Sequence, residues 1–223
     1  MLARSPEPGT GKTRLRAALA EAALGDVDAL VRGLVADTLA RTLDADDLVI
    51  AADGDQDMLR ALAGGDARLV AQPEASFGER IENALAEGFR AGPAVTGVLQ
   101  LGTDSPTLPP ALIEAALAAL QHPDDAALIP AVDGGWVGLA LARPAAGSLT
   151  AAAIRWSTGH AAADTVTALH AAGRQVSVLP PWYDVDGLDD LDRLRRDPAA
   201  PGFAPRTLAA LHRLDQGGRR AVA

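Results

Sequence analysis

Cysteine is absent from this chain of 223 residues. That excludes a disulfide framework, a zinc–thiolate centre and a cysteine nucleophile. Aromatic residues make up only 3%, so a core has to be assembled from Ala, Leu and Val. No apolar run reaches the length of a membrane span. The N-terminus lacks the apolar stretch of a secretory signal, and the expected location is the cytoplasm. Basic excess is missing as well: net charge is −9 and the pI is about 4.8. A chain this acidic is a poor partner for nucleic acid or an anionic membrane, although a local basic pocket can still hold a nucleotide. The four histidines, His122, His160, His170 and His212, share no ligand spacing, and no G-x-S-x-G nucleophile elbow occurs.

Lysine is nearly absent too. Of 20 basic residues all but Lys12 are arginine. A lysine is a compact charge on a flexible stem that can follow a phosphate, whereas arginine is a planar fork. Lys12 lies in "SPEPGTGKTRL" (residues 5–15), which ends like a phosphate-binding P-loop. The P-loop pattern requires a glycine five residues before the Gly-Lys-Thr triplet. Pro6 stands there instead, without a backbone N–H to offer, and only four residues precede the segment where a full strand is needed.

What is present is a repeated switch between helical and strand periodicity. Helices are expected at 13–24, 27–43, 56–63, 77–91, 110–121, 160–172, 187–195 and 205–214. Strands are expected at 48–53, 67–72, 95–102, 126–131, 135–142 and 174–180. Alternating strands and helices imply an α/β fold with a mostly parallel sheet and helices on both faces. The length fits one domain over 1–214 with a frayed tail at 215–223. In such sheets ligands sit at the carboxyl ends of the strands, which singles out a small set of loops.

"LQLGTDSPTLP" places Asp104 just past an apolar strand. It either caps a turn or projects a carboxylate into a cleft. "PWYDVDGLDDL" places Asp184 and Asp186 two apart, pointing the same way if extended, while Asp189 and Asp190 suit the N-terminus of the next helix. Two Asp loops on one sheet edge could share a hard cation, Mg²⁺ or Mn²⁺, which takes carboxylate and phosphate oxygens; a cluster of capping aspartates is the alternative. "PAVDGGWVGLAL" offers Asp133, Gly134, Gly135 and Trp136, either as a hairpin turn or as a substrate loop with a glycine floor and an aromatic wall.

Taken in order, "ARSPEPGTGKTRL", "FGERIENAL", "GTDSPTLP", "PAVDGGWVGLAL", "RWST" and "YDVDGLDDL" resemble the bacterial radical-SAM/selenodomain-associated transferase 1 family. That family is glycosyltransferase-like, with the three-layer GT-A fold of nucleotide-diphospho-sugar transferases, and is similar to the 2-phospholactate and molybdenum-cofactor guanylyltransferases. The resemblance runs from about residue 3 to 195. It implies a metal-dependent transferase with a nucleotide or nucleotide-sugar donor and a small-molecule acceptor. Glycosyl transfer comes first and nucleotidyl transfer second; a degenerate nucleotide-binding regulatory domain is the non-enzyme alternative. It implies that Gly11, Lys12, Thr13 and Arg14 hold the donor phosphates with Arg4, and that Gly78 and Arg80 lie beside the nucleotide. Asp104 and Asp186 would bind the metal and act in catalysis with Lys12, with Asp184 as the neighbouring alternative. Asp133, Gly134, Gly135 and Trp136 would face the acceptor. The chain departs from the family at Trp136, usually tyrosine, and at Gly187, usually threonine and a probable cap. The first strand of such a fold has several apolar residues before the arginine, so a truncated first strand, with a true start upstream, is expected here.

Overall fold

The computed structural model describes residues 1–21, 26–42, 47–64, 67–92, 94–144, 148–150 and 153–221, with side chains through residue 216. The elements run in the order β1 (Leu2–Arg4), α1 (Thr13–Glu21), α2 (Val27–Ala40), β2 (Val49–Asp53), α3 (Gln56–Ala63), β3 (Arg68–Ala71), α4 (Phe77–Phe89), β4 (Val98–Leu101), α5 (Pro110–Ala118), β5 (Asp125–Pro130), β6 (Trp136–Leu141), α6 (Ala161–Ala171), β7 (Gln175–Val178), α7 (Leu188–Arg196), α8 (Ala200–Phe203) and α9 (Pro205–Ala221).

The strands form two hydrogen-bonded sets, β1-β2-β3 and β4-β6-β5-β7. The first is parallel throughout. In the second, β5 and β7 are parallel, but β6 runs antiparallel between β4 and β5. The reversal follows from the connection between β5 and β6, residues 131–135, which is long enough for a hairpin and too short for a parallel crossover. The fold is thus a mixed α/β arrangement, with a parallel three-stranded set beside a mixed four-stranded one. β1 is three residues long, and its register with β2 runs from Leu2↔Ala51 to Arg4↔Asp53.

Helices cover both sheet faces, and alternation along β5 shows why. Ala127 and Ile129 join one apolar cluster with α2, α3 and α5 residues such as Leu39, Leu59 and Ala116. Ala126 and Leu128 join another with Ile81 and Leu85 of α4 and Leu169 of α6. A strand buried on both sides reads as a continuous apolar run, as "AALIP" does. A third cluster gathers Leu15 and Leu19 of α1, Leu30 and Leu34 of α2, Tyr183, Val185, and apolar residues of α7 and α9. Leu15 and Leu19 are fully buried, worth about 1.5–3 kcal/mol each, and they fix α1 so that its first turn is held at the sheet edge.

Several bounds depart from the sequence pattern: β4 starts at Val98 rather than 95 and α5 stops at Ala118 rather than 121. α9 continues to Ala221 rather than ending near 214, and α8 is a one-turn helix that the Pro–Gly composition of 200–203 concealed. The ends of the expected helices at 13–24 and 27–43 include positions 22–24 and 43, outside the described residues. α9 is anchored by Asp37, 1% exposed, which accepts hydrogen bonds from the Thr207 backbone N–H at 2.8 Å and hydroxyl at 2.7 Å. Among the described residues no helix is long and apolar enough to cross a membrane.

Candidate active site

The loop after β1 is shaped by three departures into positive φ: Gly9 at 77°, Gly11 at 67° and Lys12 at 46°. Arg16, which the sequence motifs did not single out, holds this loop from below. Its guanidinium donates to the carbonyls of Thr10 (3.0 and 2.7 Å) and Gly11 (2.8 Å) and pairs with Asp28 at 2.6 Å. Asp28 in turn accepts from the Gly9 N–H at 3.0 Å, and this backbone contact, followed by Arg16, holds its carboxyl below the ordinary range. With the two carbonyls turned to Arg16, Lys12 and the unbonded first-turn amides of α1 are left for the cleft.

Lys12 reaches across that cleft. Its Nζ lies 2.9 Å from Asp104 Oδ2 and also contacts Asp186 Oδ1. Asp104 follows β4, and the missing side chain of Gly102 makes room for its carboxylate: a Cβ there would stand 2.9 Å from Asp104 Oδ1. The two acidic loops are tied together by a hydrogen bond from Val185 N–H to the Asp104 carbonyl, 2.9 Å. Asp190 Oδ2 accepts from the N–H groups of Asp186 (3.0 Å) and Gly187 (2.8 Å). Asp190 thus supplies the reciprocal half of a capping box, bonding the N-cap amide, while Gly187 gives the first-turn amides of α7 no side-chain acceptor.

Asp104, Asp184 and Asp186 each present an oxygen within 4.8 Å of the others. Three carboxylates so grouped match the donor chemistry of a hard divalent cation. The strain of the grouping is visible in Asp184. Burial first, then the like charges of Asp104, Asp186 and Asp133, push its carboxyl from 3.8 up to about 7, against the opposing pull of Lys12. For Lys12, burial favours the neutral amine, but Asp104 and Asp186 outweigh it and hold the ammonium well above its ordinary value.

The Asp184 shift fixes a pH dependence for the metal-free protein. Its folded pKa exceeds its unfolded value, so its contribution to stability is complete below about pH 4 and is lost as the pH rises through 7. Asp184→Asn removes that loss. In EDTA, denaturant titrations should show the variant gaining roughly 1–3 kcal/mol on the parent between pH 4 and pH 8, a range discounted for partial exposure. A difference that does not change with pH would contradict this account.

A cleft of about 580 Å³ lies at this sheet edge, lined among others by Arg4, Arg14, Arg80, Asp104, Asp133, Gly135, Trp136, Asp184 and Asp186. A recess of about 350 Å³ adjoins it, shares Arg4, Arg14, Asp104 and Asp186, and adds Gly11, Lys12 and Thr13. Gly78 and Gly134 line neither. A Cβ on Gly78 would meet Trp156 Nε1 at 3.3 Å, and one on Gly134 the Gly159 carbonyl at 2.2 Å. Both glycines work behind the surface, letting the segment around Trp156 pack closely.

Several cleft residues escaped the sequence reading. Asp53, at the end of β2, pairs with Arg4 at 2.7 Å. Gln72 is locked by the carbonyls of Ala3 and Ala51 and accepts from Arg80 at 3.3 Å. Gln100, 4% exposed, lines the cleft, and its carbonyl oxygen has no hydrogen-bond partner among the described residues. Phe77 and Trp156 meet edge to face at 5.3 Å, and Trp156 meets Trp136 at 6.4 Å. The strand-end position of "AADGD" was the signal for Asp53. Trp156 had no periodicity to mark it, and although "RWST" is among the segments carrying the resemblance, the resemblance implies no role for its tryptophan.

This fold and cleft place the chain in the class of nucleotide-diphospho-sugar transferase-like α/β proteins. A crystal structure from Desulfovibrio desulfuricans G20, provisionally described as a nucleotide-diphospho-sugar transferase, is similar at 30% identity and a TM-score of 0.78, covering 98% of this chain and 95% of that one. Rv0371c from Mycobacterium tuberculosis H37Rv shares the fold at 23% identity and a TM-score of 0.50, over 88% of this chain and 95% of its own. No curated protein matches the chain. The chain belongs to the family described as "Uncharacterized protein conserved in bacteria (DUF2064)", whose model matches residues 34–158.

Proposed function

We propose that this chain is a metal-dependent transferase that uses a nucleotide-activated donor, with glycosyl transfer from a nucleotide-diphospho-sugar as the reaction. The reading treats residues 1–214 as one catalytic domain of a cytoplasmic bacterial enzyme, within the radical-SAM/selenodomain-associated transferase 1 group. One observation carries it: Lys12, Asp104 and Asp186 converge from three distant loops beside the free N-terminus of α1.

In this reading Thr13 and Arg14 offer first-turn amides to the donor diphosphate, as helix N-termini do for anions. Lys12, Arg4 and Arg14 add positive charge. Mg²⁺ or Mn²⁺ held by Asp104 and Asp186, with Asp184 beside them, would neutralise the diphosphate as it leaves. The acceptor rests between Asp133, the backbone at Gly135 and the Trp136–Trp156 wall. Its hydroxyl oxygen bonds to the sugar C1 as the C1–O bond to the β-phosphate breaks, and its proton passes to an acceptor-side carboxylate. Arg80 and Gln72 lie where the nucleoside would be oriented.

A thermal-shift panel of nucleoside diphosphates, nucleoside triphosphates and nucleotide-sugars with Mn²⁺ tests the reading. A ligand at about 100 times its Kd stabilises by about 2.7 kcal/mol, a rise of roughly 5–10 °C for a chain of this size. Product analysis on the stabilising donor then separates the chemistries: free nucleoside diphosphate marks glycosyl transfer, and pyrophosphate from a triphosphate marks nucleotidyl transfer. No shift across the panel would sink both.

A further inference from the structure

We propose that Lys12 is the resident cation of the carboxylate cluster, and that it and the divalent metal exclude one another, so that metal enters as the donor diphosphate draws Lys12 away. The inference rests on the function proposed above and adds how that site is regulated.

The geometry is that of one cation place with two claimants. The Lys12 ammonium touches Asp104 Oδ2 and Asp186 Oδ1, and both carboxylates belong to the set whose oxygens lie within 4.8 Å of one another. A divalent ion bonded to Asp104 and Asp186 at about 2.1 Å would stand against the ammonium, with no screening water between two positive charges. One of them must leave.

The loop is built to hold Lys12 in and to let it out. Lys12 adopts φ of 46°, a left-handed conformation that costs energy for any residue with a Cβ. The two carboxylate contacts offset that cost while the metal is away. The adjoining recess of about 350 Å³ is lined by Lys12 together with Val31, Leu34 and Val35, space into which the stem can swing. The destination is the first turn of α1, where unbonded amides and Arg14 would collect phosphate oxygens. A four-carbon stem reaches either place; a rigid guanidinium would not exchange between them as readily. This accounts for one lysine persisting in a chain that otherwise uses only arginine. It also makes metal and diphosphate mutually dependent, since coupling between two ligands is reciprocal.

Lysine uniqueness makes the test direct. Mn²⁺ titrations followed by electron paramagnetic resonance compare the parent with Lys12→Met, and Asp104→Asn serves as the site control. The expected result is Mn²⁺ binding about tenfold tighter in Lys12→Met, within the usual range of coupling between sites, and lost in Asp104→Asn. In the unmodified protein, lysine labelled at ¹⁵Nζ gives a single side-chain resonance. Its ammonium protons should exchange slowly in metal-free buffer and lose that protection at saturating Mg²⁺. Equal Mn²⁺ affinity in parent and Lys12→Met, or a lysine resonance indifferent to Mg²⁺, overturns the exchange and leaves the metal site standing. Mn²⁺ binding to neither protein overturns the metal site too.

Discussion

On the function proposed above, Asp104→Asn is expected to lower the rate of transfer by about 10³-fold, at the upper end of what one preorganised electrostatic contact contributes to catalysis. Asparagine preserves the shape of the side chain and removes its charge. A cation bound there would lose a ligand, and Lys12 would keep Asp186 as its ionic partner. The fold should survive. Asp104 is joined to the second acidic loop through its backbone carbonyl, which accepts from Val185 N–H, and the substitution leaves that bond in place. Circular dichroism and a melting temperature within a few degrees of the parent would separate lost chemistry from lost structure. Asp190→Asn provides a graded comparison. Asp190 holds the Asp186 and Gly187 amides without belonging to the carboxylate set, and supporting residues of this kind change metal affinity or activity by about 10–100-fold. If Asp104→Asn keeps more than a tenth of the parent rate, the assignment of Asp104 to the reacting centre is wrong.

Gly134→Ala is expected to be the most destabilising single methyl addition near the site. Gly134 has φ of 89°, and a Cβ would stand 2.2, 2.6 and 2.7 Å from the carbonyl oxygen, carbonyl carbon and Cα of Gly159. These are backbone atoms, which cannot rotate aside. Gly134 also accepts a hydrogen bond from Ala162 N–H at 3.0 Å, so the loop cannot retreat without breaking the entry to α6. Together these place the cost above about 3 kcal/mol, or a fall of roughly 6–12 °C in melting temperature. Gly64→Ala isolates the conformational part. Gly64 has φ of 69°, and a Cβ there would meet no atom of the described residues within 4 Å, so its substitution should cost only about 1 kcal/mol. Near-equal losses at the two positions would show that the Gly134–Gly159 contact is not tight.

The contrast between these glycines marks what a sequence can and cannot disclose. Residues that act through local pattern were legible. Asp104 and Asp186 follow strand-like or extended segments at one sheet edge, and the apolar runs of β2 and β5 announce burial on both faces. The convergence of Lys12, Asp104 and Asp186 followed from the rule that places ligands at the carboxyl ends of strands. Contacts made across the fold were not legible. Gly134 reads as an ordinary Asp-Gly hairpin turn, and its packing on Gly159 depends on where residues 155–160 return. Arg16 reads as one charge on a helix, because its carbonyl partners lie on the preceding loop. Trp156 comes from an irregular segment with no period to interpret, and only the fold sets it against Phe77 and Trp136. The antiparallel β6 was within reach, since a connection as short as 131–135 cannot cross over a parallel sheet.

The central claim is that Asp104 and Asp186 hold a divalent cation facing a nucleoside diphosphate on the Lys12 side. Crystals soaked with Mn²⁺ and the nucleoside diphosphate that gives the largest thermal shift, measured for anomalous scattering from manganese, test it most directly. The account predicts one strong peak about 2.1 Å from oxygens of both carboxylates, with the diphosphate bridging from the metal to the first turn of α1 and Lys12 moved onto it. A diphosphate bound elsewhere, or a manganese peak away from Asp104 and Asp186, would contradict it.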